Sequence, residues 1–260
     1  MSVAIITGAG RGIGAATALR LASTGWDLVL VDLCTDDPTV SYGLATPDDL
    51  AAVAGACGER AIAVTADVRD RSSLRAAVAV AVDSFGGLDA ALAAAGVIAG
   101  GREAWATSDD VWDTMLDVNL GGVRHLAEAA VPALLARPTP RAGRFVAVSS
   151  AGGTLGLPLL AAYSAAKHAV VGYIRSLAAE LGPHGITANA VAPGSTETAM
   201  LDASARVYGL AEVAEFATHH QLGRLIHPDE VAALLAWLCT DASSAITGAV
   251  LPVDAGMTAS

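Results

Sequence analysis

Lysine occurs once in the 260 residues, at Lys167, and asparagine twice, at Asn119 and Asn189. Arginine supplies the other 14 of the 15 basic side chains. With so much Ala, Gly and Arg, this is the drift expected of GC-rich codons, and a lysine or asparagine that survives it is a candidate for a chemical role. Basic runs are absent and the formal net charge is −11, which speaks against nucleic acid or an anionic membrane as a partner. Cysteine is scarce too. Cys34, Cys57 and Cys239 are widely spaced and odd in number, so they make neither a disulfide framework nor a metal site. Reduced thiols in a cytoplasmic protein are the expectation. The histidines, including the pair His219-His220, lack acidic or cysteine companions at ligand spacing, so no metal is expected. Apolar stretches never approach the ~20 residues of a membrane span, and MSVAIITGAG lacks the basic start of a signal peptide.

What is abundant is apolar residue, at 53%, arranged as short β-rich runs alternating with longer helical patterns. VAIIT, DLVLVD, AIAVTADV, LDAALAAAG, RFVAVSS, ITANAVAP and AVLPVD read as strands. Helical patterns fall at 12–24, 47–57, 71–85, 109–136, 162–181, 200–219 and 228–239. The strands are continuous apolar runs, as required when helices cover both faces. The fold class is therefore α/β: a single Rossmann-type, doubly wound parallel sheet with helices on both faces, in one domain over residues 1–260. Trp105, Trp112 and Trp237 read as core or interface residues.

TGAGRGIG, Thr7 to Gly14, follows the first strand and opens a helix. Glycine there permits a tight turn and close approach to a pyrophosphate at the helix N-terminus. Asp32 ends the second strand, where a carboxylate accepts from the adenosine ribose hydroxyls and repels a 2′-phosphate, favouring NAD over NADP. Arg11 points the other way, since an arginine in the turn can serve a 2′-phosphate; Asp32 lies closer to the expected 2′-OH.

Tyr163 and Lys167 are four apart on a strong helical pattern, one turn apart on one face. An ammonium beside a phenol favours the phenolate, and such a tyrosine can exchange a proton with an alcohol or carbonyl. Ser150 ends the preceding strand, where its hydroxyl could hold a substrate oxygen.

From end to end the chain resembles the short-chain dehydrogenase/reductase family: TGAGRGIG, Asp67-Val68, DVNL, a serine thirteen residues ahead of the tyrosine of YxxxK, NAVAPG and TGAVLPVDAG. The resemblance implies a tetrad of Asn119, Ser150, Tyr163 and Lys167. Tyr163 would be the acid/base and Lys167 would lower its pKa and bind the nicotinamide ribose. Ser150 would orient the substrate oxygen, and Asn119 would hold a water linking the lysine to solvent. The cofactor would be NAD. It would meet Gly8, Arg11, Gly12, Ile13 and Gly14 in the turn, and Asp32 and Leu33 at the ribose. Asp67 and Val68 would flank the adenine, with Ala94 and Gly96 beyond the fourth strand. Thr196 and Thr198 would lie at the nicotinamide, together with Tyr163 and Lys167. Asn189 is expected to tie loops together. Two departures are AAAG (93–96) for the family's NNAG, which loses an asparagine that stitches strands, and DAG (254–256) for DGG.

The implied activity is NAD-dependent interconversion of a secondary alcohol and a ketone, on a small apolar substrate beneath a lid at about 195–225. Alternatives are an NADP-dependent ketoreductase of acyl groups and a non-catalytic dinucleotide-binding regulator. A homotetramer is implied as well. After Asp32 the chain inserts CTDDPTVSYGLATPDDL, with Tyr42 and Leu44 as anchors, Thr46 capping a helix that Pro47 begins, and Asp36, Asp37, Asp48 and Asp49 as a solvated face. The insertion resembles the subfamily associated with the redox carrier mycofactocin, including carveol dehydrogenase-like enzymes. It implies a loop over the adenosine end that retains NAD for reoxidation in place by a mycofactocin-type carrier.

Overall fold

The computed structural model describes residues 2–259. Seven strands form one parallel sheet: β1 (Val3–Thr7), β2 (Asp27–Asp32), β3 (Ala61–Thr65), β4 (Ala90–Ala93), β5 (Arg144–Val148), β6 (Thr187–Pro193) and β7 (Val250–Val253). Their order is β3-β2-β1-β4-β5-β6-β7, the doubly wound arrangement expected. Successive side chains of a strand point to opposite faces, and β1 divides accordingly. Val3 and Ile5 enter one core with α3 (Arg71–Phe85), α5 (Gly122–Leu135) and α6 (Ala161–Leu181). Ala4 and Ile6 enter the other with α1 (Gly12–Ser23) and α8 (Pro228–Leu238). Both faces being covered, polar chemistry is confined to the strand ends. Strand order reverses between β1 and β4, so a crevice opens there at the carboxyl edge.

Two helical readings need correction. Residues 109–136 form α4 (Asp109–Leu116), a five-residue π-helical segment Asp117–Gly121, and then α5. Asn119 lies inside that π segment, where the wider turn displaces side chains from the α-helical pattern. Residues 200–219 are also interrupted: α7 (Ala199–Tyr208) stops at Gly209, whose φ of +63° suits a glycine C-cap, and a 3₁₀ segment Val213–His219 follows. Of the tryptophans, Trp105 is 88% and Trp237 39% exposed, so neither is core, whereas Trp112 packs half-buried on the α3–α6 side.

Asn189 closes the carboxyl half of the sheet. Its Nδ2 donates to the Ile246 carbonyl at 2.8 Å, and its Oδ1 accepts from the Ala249 N–H at 3.1 Å. Thr7 Oγ1 accepts from the Ala95 N–H at 3.3 Å, so a link between β1 and the end of β4 survives without the AAAG asparagine. Both partners are partly buried, and a typical hydrogen bond contributes about 0.5–1.5 kcal/mol. Asn189→Ala, which loses two, should lower unfolding free energy by roughly 1–3 kcal/mol, measured by urea denaturation.

Candidate active site

A cavity of about 1210 Å³ runs along the carboxyl edge, from the glycine turn past Asp32 to Tyr163 and α7. That exceeds the usual span of a single small-ligand pocket, about 300–1,000 Å³, and leaves room for a dinucleotide and a second small molecule. The turn at its floor depends on missing side chains. A Cβ on Gly14 would stand 2.0 Å from the Gly8 carbonyl oxygen, and one on Gly8 (φ +71°) 2.7 Å from Ala95 Cα. Gly12 (φ +58°) faces only Thr198, at 3.3 Å, so bare backbone lines the groove between the turn and Thr196–Thr198. Asp32 is braced by the turn itself: its Oδ2 accepts from the Gly10 N–H at 2.8 Å and its Oδ1 from the Leu33 N–H at 2.8 Å. Ile13, Asp67, Val68, Ala94 and Gly96 line the same cavity. This groove and its braced carboxylate fit an adenine dinucleotide with an unmodified ribose.

Ser150, Tyr163 and Lys167 converge at the middle of the cleft. Ser150 follows β5, and its Oγ accepts from the Gly152 N–H at 3.0 Å. Tyr163 and Lys167 stand in the first two turns of α6 and are both buried. Lys167 Nζ lies 5.8 Å from the Tyr163 ring centroid and donates to the Val148 carbonyl at 2.9 Å. Burial brings its pKa down to about 8. The expectation that the ammonium draws the phenol toward neutrality is not met in this geometry. Burial pushes Tyr163 upward, and only the Ser150 hydroxyl opposes it.

Asn119 comes close to the lysine at Gly96, where an added Cβ would meet Asn119 Oδ1 at 2.9 Å and Lys167 Nζ at 3.4 Å. Fully buried, Asn119 grips Val97 twice: its Oδ1 accepts from the Val97 N–H at 3.1 Å and its Nδ2 donates to the Val97 carbonyl at 3.0 Å.

The insertion after Asp32 lines the Asp32 end of the cavity, and its acids are not a uniform solvated face. Asp37 is buried and pairs with Arg69 at 2.8 Å, while Arg69 also holds Asp67 at 2.7 Å. Asp36 accepts from the Leu44 N–H, Asp49 closes a capping box with Thr46, and Asp48 alone stays free in solvent. Burial raises the Asp37 carboxyl, but the Thr39 N–H and the Arg69 guanidinium outweigh it and leave the pKa below the ordinary value. Farther along, Thr114 donates to Thr39 Oγ1 at 3.1 Å, and the Ile98 N–H donates to the Tyr42 hydroxyl at 3.3 Å. Arg11 donates to the Gly43 carbonyl, which ties the glycine turn to the insertion. The sequence carries no direct sign of Arg69 or of the Tyr42–Ile98 contact, because both join segments distant along the chain. Arg69's place two residues after Asp67 was the only available signal.

This fold and cleft define a Rossmann-type dinucleotide-binding enzyme class. The chain belongs to the short-chain dehydrogenase/reductase family of oxidoreductases: a family profile described as enoyl-(acyl carrier protein) reductase matches residues 8–258. It is 39% identical to (−)-trans-carveol dehydrogenase of Rhodococcus erythropolis, over 98% of this chain and 97% of that one. A crystal structure of carveol dehydrogenase from Mycobacterium avium in complex with NAD superposes with a TM-score of 0.94 at 36% identity, covering 100% and 98% of the two chains. Levodione reductase follows at 0.90 and 30%, with the same coverage. Among the described residues no helix is long and apolar enough to cross a membrane, and no metal-ligand cluster occurs.

A buried cation whose only fixed partner is a carbonyl costs stability. With Lys167 near 8 in the fold and near 10.4 unfolded, the unfolded chain holds more protons between those values, so stability rises with pH there. Tyr163 works oppositely above about 10. Lys167→Met should therefore be the more stable protein at pH 7, by on the order of 1–3 kcal/mol, and the wild type should narrow the gap between about pH 8 and 10. Denaturation at several pH values measures it.

Proposed function

We propose that the protein is an NAD-dependent dehydrogenase that interconverts a small or medium-sized apolar secondary alcohol and its ketone, with Tyr163 as acid/base. The observation that carries this reading is the convergence of Ser150, Tyr163 and Lys167 at the open middle of a cleft whose far end is a glycine turn braced on Asp32. The relatives named for carveol and levodione act on compounds of that chemical kind, which supports the substrate class.

When bound, NAD supplies the hydride acceptor. Gly8, Gly12 and Gly14 would take the pyrophosphate along the bare backbone of the turn, with Asp32 and Leu33 at the adenosine ribose, and Thr196 and Thr198 at the carboxamide. Ser150 Oγ hydrogen-bonds the substrate oxygen, which fixes its distance from Tyr163. Tyr163 Oη takes the hydroxyl proton in oxidation and returns it in reduction. The Lys167 ammonium stabilises the phenolate as charge develops, and Asn119 fixes the 96–98 backbone beside it. Residues 1–260 work as one unit, with 195–225 as the lid. The faces of α4–α5 and α6 are the proposed contacts of a homotetramer.

The insertion is proposed as a strap that retains NAD, which a mycofactocin-type carrier then reoxidises in place. Its anchors on both sides of the cleft, Arg69 with Asp37 and Ile98 with Tyr42, support this. A second reading, an NADP-dependent ketoreductase of acyl groups, is favoured by 37% identity over 98% of this chain to a putative ketoacyl reductase of the monensin polyketide synthase. The Asp32 carboxylate at the ribose end weighs against it, and the presence of all four tetrad residues weighs against a non-catalytic regulator.

Tyr163→Phe should lower kcat for trans-carveol oxidation by at least about 10²-fold while leaving NADH affinity unchanged. Normal turnover would overturn the mechanism, and tighter binding of NADPH than NADH would favour the second reading. Arg69→Met should accelerate exchange of bound NAD with added labelled NAD. If the wild-type protein purifies free of cofactor and exchanges it as fast as the variant does, the strap does not retain it.

A further inference from the structure

His220 has no part in the family pattern, yet it is buried and both its ring nitrogens are engaged. Nδ1 lies 2.6 Å from the Arg224 carbonyl oxygen, and the Ser195 N–H donates to Nε2 at 3.2 Å. A carbonyl only accepts and an amide N–H only donates, so the ring is neutral with its proton on Nδ1. The two groups it joins are the two feet of the 195–225 segment. Ser195 starts the turn that leads to Thr196 and Thr198, and Arg224 ends the return to the sheet. Next to them a short parallel bridge pairs Thr196 with Ile226, through Ile226 N–H to Ser195 O at 3.1 Å and Glu197 N–H to Ile226 O at 2.9 Å. The Leu222 N–H reaches the Ala255 carbonyl at 3.1 Å and ties the same base to the C-terminal turn.

Above these feet the segment carries a small core of its own, Leu201, Ala205 and Phe216, separate from the two cores of the sheet. Tyr208 meets Phe216 edge-on at 6.0 Å, and its hydroxyl donates to the Pro158 carbonyl at 2.9 Å. Ala203 is also buried in the first core of the sheet, with Met200 and Val207 packed against it, so that core seats α7 while the feet fix where the segment enters and leaves the sheet. Among the described residues, His220 is the one side chain that hydrogen-bonds both feet.

We propose that His220 is a positioning residue that couples two functions: through Ser195 it places the turn at the nicotinamide, and through Arg224 it places the lid over the substrate. This rests on the reading above that Thr196–Thr198 meet NAD and that 195–225 covers an alcohol. The two hydrogen bonds can be separated, because an asparagine amide superposes on Nδ1 and a glutamine amide on Nε2. His220→Asn keeps the Arg224 link and loses Ser195; His220→Gln keeps Ser195 and loses Arg224.

The test is steady-state oxidation of trans-carveol by the wild type and the Asn, Gln and Ala variants, with amide hydrogen exchange of residues 195–226 alongside. A single neutral hydrogen bond corresponds to roughly a five- to ten-fold effect. His220→Asn should lower kcat by about that factor with KM little changed and Ser195 exchange accelerated. His220→Gln should raise KM similarly, with kcat and Ser195 protection near wild type. His220→Ala should show both losses. Equal shifts in the Asn and Gln variants would overturn the proposal, as would unchanged kinetics in all three, or reduced yield of protein with wild-type kcat and KM. If the wild type itself does not oxidise trans-carveol, the substrate reading fails. The exchange measurement then decides the proposal: Ser195 protected in Gln but not in Asn upholds the link, and equal protection in both removes it.

Discussion

The close approach of Gly14 to the carbonyl of Gly8 is the constraint on which the rest of the cleft depends. A Cβ at Gly14 would stand 2.0 Å from that oxygen, so a side chain there would force α1 away from the end of β1. With α1 seated, its N-terminal N–H groups face the crevice, and Gly10 comes within reach of Asp32. The carboxylate is thus fixed by the turn it complements, and one backbone geometry sets both the glycine-lined groove and the acid at its end. Because the sheet is buried on both faces, polar side chains collect at the strand ends, and those at the carboxyl ends line the cleft. That is why a serine ending β5 and a tyrosine entering α6 arrive in one place.

The sheet, most of its helices and the placement of Tyr163 and Lys167 on one helix were legible because each rests on local pattern or fixed spacing. Continuous apolar runs give buried parallel strands, and a four-residue interval puts Tyr163 and Lys167 on one helix face. Scarcity helped as well: the lone lysine and one of two asparagines both lie at the cleft. The π segment around Asn119 was not legible, since its sequence DVNLG is compatible with an ordinary helix and the extra residue per turn is chosen by packing against Val97. Nor was the neutral state of His220, which depends on a carbonyl four residues ahead and an amide 25 residues behind. The acids of the insertion misled for the same reason. Asp37 reads as solvated until Arg69 arrives from beyond β3.

Lys167 stands where local energetics alone disfavours a charge. Its ammonium is buried against a single carbonyl, a placement that burial penalises and that no packing argument would select. A methionine would fill the space at lower cost. The same burial raises Tyr163, so both groups sit away from their solution values in the direction that disfavours charge. An arrangement that opposes two charges separately can still favour the pair when a phenolate and an ammonium form together, because each then stabilises the other in a medium of low dielectric.

The insertion and the 195–225 segment also meet at one place. Tyr42 of the insertion accepts from the Ile98 N–H, and Tyr208 of the segment donates to the Pro158 carbonyl. These two contact points are themselves joined, because the Gly101 N–H donates to the Leu159 carbonyl at 2.9 Å. Leu159 adopts φ +60°, and Gly100 passes so near that a Cβ there would lie 2.3 Å from the Leu159 oxygen. A leucine held in the left-handed region costs about 1–2 kcal/mol, and such strain persists only where surrounding contacts over-determine it. Here those contacts bring residues 98–101 against 158–160, immediately ahead of Tyr163. The Tyr42 contact of the insertion and the Tyr208 contact of the 195–225 segment therefore end on one junction, which has no room for a side chain at Gly100. The two segments that flank the cleft share this support beside Tyr163.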